Sequence, residues 1–157
     1  MASSFRSFKS SGTTQATRTE RALVKAPVPI GIKTPLSLSD KDGLLSMHYS
    51  LIEQMIDNLR NLLLTNHGDR LMLYDFGANL RPLCSEFTTQ EDFDSQAIER
   101  IRNAVSKWMP YISLDSFEST IDRFDIKNTG KVRLKITFDI PALKATNLVV
   151  EVMLYVM

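Results

Sequence analysis

Cysteine is nearly missing from this chain: Cys84 stands alone among 157 residues. One thiol excludes an internal disulfide, which fits a reducing compartment. With only two histidines, His48 and His67, nineteen residues apart, the chain matches no zinc-ligand spacing. The six glycines are scattered, so no phosphate-cradling loop is written. No apolar run reaches the roughly 18 residues of a membrane span. The opening stretch MASSFRSFKSSGTTQ has no apolar core of a secretion signal. A net charge of +1 supplies no global field for nucleic acid or membrane.

That small net charge hides an uneven distribution. Five cations (Arg6, Lys9, Arg18, Arg21, Lys25) against Glu20 give residues 1–25 a charge of +4, which leaves −3 for the rest. A basic, Ser/Thr-rich leader buries too little apolar surface to offset its ordering entropy. It is expected to be a disordered arm or to order against an acidic partner. Phe5 and Phe8 are too few for a nucleic-acid stacking platform. Residues 25–36, KAPVPIGIKTPL, hold three prolines and should run extended. Val28, Ile30, Ile32 and Leu36 then want a surface to lie on. The organisation predicted is an extended or disordered arm over 1–36 and one α+β domain over 37–157.

What is present is periodic. From 46 to 65, Met47, Leu51, Ile52, Met55, Ile56, Leu59, Leu62 and Leu63 recur at three and four, an amphipathic helix. His48, Glu53, Gln54, Asp57 and Arg60 fall on its polar arc, and Gly68 is expected just past its end. A short helical turn is expected near 79–86. A second long helix follows, with a Thr88–Glu91 capping-box spacing and Pro110 as its stop. The remainder is strand. KVRLKITFDI alternates strictly, with Val132, Leu134, Ile136, Phe138 and Ile140 on one face. The order helix, helix, strand, strand, strand predicts α+β: two main helices on a small antiparallel sheet of about three strands.

Residues 147–157, NLVVEVMLYVM, carry only Glu151. Leu148, Val150, Val152 and Leu154 should face one way, and Val149, Met153 and Tyr155 the other. The strand has none of the Lys, Pro or bulge protection usual at an edge. Either it is central and buried on both faces, or it is an edge that a partner strand covers.

Chemistry is sparse. Asp75 and Glu86, eleven residues apart, are a carboxylate pair that could meet as in a glycosidase, and Cys84 with His67 a nucleophile–base pair. Neither spacing demands catalysis; a loop Asp is more often a turn residue, and a lone Cys a small hydrophobe. No catalytic residue, cofactor or metal is expected.

One block is more specific. Thr65, Gly68-Asp69-Arg70, Phe76-Gly77, Leu80 and the Leu83–Glu86 turn resemble the baseplate wedge family of contractile phage tails. That family was once described as a tail lysozyme and has relatives in type VI secretion baseplates. The likeness runs over about residues 30–157. In the block, Gly68 and Gly77 allow tight turns, Arg70 and Glu86 scaffold the loop, and Leu71, Leu73, Tyr74 and Phe76 pin it to the first helix. The resemblance implies a structural virion subunit that presents strands to sheath protein and touches neighbouring wedge proteins. Through its arm it would reach tube or hub proteins. Neither nucleic acid nor membrane is implied as a partner. The sheath strand would dock along Leu148, Val149, Val150, Val152, Met153 and Tyr155. Many relatives end the second helix in Glu-Pro-Arg, which grips a helical core bundle; here the residues are Met109-Pro110-Tyr111, with Trp108 before them. The same contact would then rest on an exposed apolar knuckle, Trp108 to Tyr111. The old description implies the alternative, a peptidoglycan hydrolase.

Overall fold

A computed structural model of the chain describes residues 28–39, 43–86, 90–122 and 130–156. The arm at 1–27 and Thr88 of the capping box lie outside the described residues. Within them the α+β expectation holds, with three helices and two antiparallel sheets.

The first sheet is a short pair that the sequence hid inside a helical pattern. β1 (Gly31–Ile32) pairs antiparallel with β2 (Met47–His48). The helix predicted from 46 therefore starts later: α1 spans Leu51–Leu64, after an extended Ser50. Met47 and His48 fit helical spacing, but their backbone groups are taken by the partner strand. Val28, Ile30, Ile32 and Leu36 stay exposed rather than lying on a surface. What anchors this segment is polar: the Thr34 amide donates to Asp57 on α1 at 2.9 Å.

α1 buries Leu59, Leu62 and Leu63. It ends at Thr65, which is extended and whose hydroxyl donates to the Asn61 carbonyl at 2.6 Å. Gly68 is thus not the helix-terminating residue; it lies deeper in the following turn, at φ 89°. α2 (Arg81–Glu86) is the expected short helix. α3 (Gln90–Trp108) buries Phe93, Ala97, Ile101, Ala104 and Val105. Pro110 has no N–H to extend it.

The second sheet has the order β3–β4–β5, with β3 Ser113–Asp122, β4 Gly130–Ile140 and β5 Ala145–Val156. β4 and β5 are joined by a 3₁₀ turn at Pro141–Leu143, where Lys144 takes the left-handed conformation. Alternation fixes which face is inside. Val132, Leu134, Ile136, Phe138 and Ile140 of β4 and Val150, Val152 and Leu154 of β5 are buried. α1 and α2 cover β5, while α3 reaches β3. Each fully buried Leu, Ile or Phe contributes about 2 kcal/mol of transfer free energy, so this seam between helices and sheet is what holds the chain folded. Among the described residues no helix covers the opposite sheet face.

Candidate protein-interaction surfaces

The loop from 66 to 80 is locked by its own backbone and by α3. Gly68 N–H donates to the Tyr74 carbonyl at 2.7 Å, and Phe76 N–H to Leu73 at 3.1 Å. Asp69 accepts from the Asn66 amide at 2.8 Å. Ala78 N–H reaches back to Leu62 on α1 at 3.0 Å, and Asn79 N–H to Thr65. Arg100 on α3 donates to the Asn79 carbonyl at 2.6 Å. Asp75 pairs with Lys107, also on α3. The ring of Phe76 meets Trp108 at 5.1 Å between centroids, and the Arg70 guanidinium lies 3.8 Å above that same Phe76 ring.

This corrects the pinning expected from the sequence. Phe76 does anchor the loop, but on Trp108 of α3. Leu71, Leu73 and Tyr74 stand exposed together with Met72. Apolar type alone marked them as inward, whereas the chain reversal between Gly68 and Tyr74 turns them outward. Glu86 is exposed at the end of α2.

Among the described residues β5 is an edge strand with one buried face, not a central strand buried on both. Val150 and Val152 point into the core, Leu148 is half-buried, and Val149, Met153 and Tyr155 are exposed. Among the described residues no strand pairs with its outer side. The other edge, β3, borders a groove of about 560 Å³ against α3, lined by Ile98, Ile101, Val105, Pro110, Leu114 and Phe117 among others.

The expected knuckle at 108–111 is only partly available. Met109 is buried at 5 % exposure and Trp108 is half-buried under Phe76. Pro110 and Tyr111 remain exposed. Met109 turns inward because its N–H continues the helix to Val105 at 2.8 Å, which aims its side chain at the core.

Three of the catalytic candidates, Asp75, His67 and Cys84, make structural contacts. Lys107 donates to Asp75 and holds its carboxyl below the ordinary range, outweighing the desolvation that opposes it. His67 Nε2 donates to the Gly77 carbonyl at 3.2 Å. Cys84 donates its thiol to Leu80, and burial raises its pKa against the opposing pull of its own backbone contact and Arg81. Among the described residues no three His, Cys, Asp or Glu side chains gather as a metal site, and no helix is long and apolar enough to cross a membrane.

Sequence reasoning missed one cluster. His48 is not on a solvated arc but buried, with Nε2 2.8 Å from Asp57 and Nδ1 3.2 Å from Glu53. Asp57 is also buried and takes Arg60 Nη1 at 2.8 Å on its other oxygen. Burial pushes the Asp57 carboxyl up; the Thr34 amide and His48 hydrogen bonds outweigh it, and the net pKa lies below the ordinary value. No sequence signal marked the cluster, because Asp57 falls on the polar arc of α1.

The family described as Baseplate wedge protein gp25 matches residues 50–145. Among solved structures, a chain of the anti-feeding prophage baseplate is similar at 20 % identity with TM-score 0.56, over 69 % of this chain and 82 % of that one. A candidate tail lysozyme from Geobacter sulfurreducens follows at 19 % and TM-score 0.46, over 68 % and 89 %. A chain of the postcontracted pyocin R2 baseplate stands at 18 % and TM-score 0.46, over 67 % and 97 %. No curated protein matches. The prophage likeness is one of fold. The family match takes in α1, the locked loop, both later helices, β3 and β4, more than half of the chain, and the chain therefore belongs to the baseplate wedge protein gp25 family.

Proposed function

We propose that the chain is a structural subunit of a contractile-tail baseplate that starts the sheath, its open sheet edge receiving a strand from the first ring of sheath protein. The observation that carries this is β5: its outer side is unpaired among the described residues. Its solvent face carries Val149, Met153 and Tyr155. Residues 148–156 contain neither Lys nor Pro. An edge of this kind adds strands readily, through backbone hydrogen bonds for affinity and apolar side chains for cover. Val150 and Val152 would contribute their backbone only, since their side chains are already buried. Trp108, Pro110 and Tyr111 form the contact toward a wedge core bundle, and the arm over 1–36 the contact toward wedge, tube or hub proteins.

The test is recovery of sheath protein by the full chain and by the variant Val149→Lys/Met153→Lys, which keeps the buried face of β5 intact. Sheath recovery should fall about tenfold or more; equal recovery by the two would remove strand addition at this edge.

The structural reading is favoured over the hydrolytic one by Asp75. A glycosidase acid needs a carboxyl whose pKa is raised, and Lys107 lowers that of Asp75. A cell-wall clearing assay with Asp75→Asn and Glu86→Gln tests this; wild-type clearing that either variant abolishes would restore the enzyme.

A further inference from the structure

Leu71, Met72, Leu73 and Tyr74 are 87, 90, 42 and 67 % exposed. Four consecutive apolar side chains in solvent are unusual where the loop beneath them is so firmly held. Met72 has φ 68°, a left-handed conformation that costs a residue with a Cβ about 1–2 kcal/mol. The Gly68–Tyr74 and Leu73–Phe76 hydrogen bonds, the Asp75–Lys107 pair and the Phe76–Trp108 contact hold it there. The strain therefore serves to present side chains outward. A surface set in advance loses little conformational entropy when a partner closes on it.

The charge beside the loop specifies that partner. Arg70 is stacked on Phe76 and has no ion pair among the described residues. The two acids nearest to it in sequence are committed elsewhere, Asp69 to Asn66 and Asp75 to Lys107. A stacked guanidinium keeps its edge N–H groups free for a carboxylate. The flanking Asp69 and Asp75 offset the cations Arg70 and Lys107, which disfavours an anionic lipid surface.

We infer that the loop at 71–74 is a preset anchor for a second protein of the particle, one that offers an apolar cleft with a carboxylate at its rim opposite Arg70. The site is on the loop between α1 and α2, and it rests on baseplate membership but not on sheath addition.

The experiment places a benzophenone side chain at position 72 of the full chain, in assembled particles, with position 144 as control. The expected cross-link is to a particle protein other than sheath, at an apolar segment containing Asp or Glu. Arg70→Glu should lower incorporation about tenfold or more, and reversing the cross-linked acid to Lys should restore it. Met72→Gly guards against a folding artefact: it relieves the left-handed strain, so thermal stability should hold or rise while incorporation falls. Incorporation of Met72→Gly at the wild-type level overturns the inference. So does a signal at 72 no stronger than at 144, or one confined to sheath. Sedimentation of the full chain with vesicles of equal phosphatidylcholine and phosphatidylglycerol, lost in Met72→Ser, overturns it in favour of a lipid surface. Sheath recovery by the Val149→Lys/Met153→Lys variant is read separately, so either proposal can fail alone.

Discussion

A Cβ on residue 77 would stand 2.1 Å from the carbonyl oxygen of Thr65, and Gly77 fills that position with φ 114°. The close approach is what lets Ala78 and Asn79 hydrogen-bond to the end of α1. Gly77→Ala meets both a backbone clash and a disfavoured φ, and should cost more than about 3 kcal/mol. Gly68 also has positive φ, but a Cβ there meets nothing within 4 Å. Gly68→Ala should cost about 1–2 kcal/mol. Thermal unfolding of the two variants checks the contrast; equal losses would refute it.

Asp57 on α1 holds the segment after β1 through Thr34, β2 through His48, and Arg60 of its own helix. Removing it strands buried donors, so Asp57→Asn should destabilise the chain by about 3 kcal/mol at neutral pH. The Asp57 carboxyl is held below its ordinary pKa. A group depressed on folding contributes fully above its unfolded value and loses that contribution as pH falls through the folded one. The gap between wild type and Asp57→Asn should therefore narrow below about pH 4. Urea midpoints across that range measure it; a constant gap would sink the assignment.

The two long helices and the sheet were legible because alternation and three-to-four spacing both follow from burying one face. Val132 to Ile140 and Phe93 to Val105 announce their burial residue by residue. The β1–β2 pair was not legible, because two-residue strands have no period and Met47 and His48 happened to continue that of α1. The outward turn of residues 71–74 was hidden for a different reason. Leu, Met and Tyr carry the same side chains whether they fill a core or await a partner, and only the hydrogen bonds closing the Gly68–Tyr74 turn decide between the two. Asp57 read as solvated because its partners, Thr34 and His48, come from a segment that gave no sign of folding back.

Phe76 ties the loop to α3 through its ring contact with Trp108, so the coupling of the two should be measurable. Aromatic pairs at this separation contribute about 1 kcal/mol beyond simple burial. A double-mutant cycle of Phe76→Leu and Trp108→Leu, followed by urea unfolding, should show a coupling of about that size. Additive losses would mean that Arg70 and the Asp75–Lys107 pair hold the loop without the ring contact.

Adjacent residues of β5 should have opposite fates. Val152 is buried against the helices, and Val152→Lys places an unpaired charge in the seam, with an expected loss above about 3 kcal/mol. Met153 points to the helix-free face, and Met153→Lys should change stability by no more than about 0.5 kcal/mol. The proposed edge makes a second demand on the same pair: Met153→Lys, still folded, should recover less sheath than wild type. Urea unfolding separates the two faces, and the sheath assay on the folded variant reports on docking alone. If Met153→Lys unfolds the chain as Val152→Lys does, the outer face is part of the core and is not open to a partner.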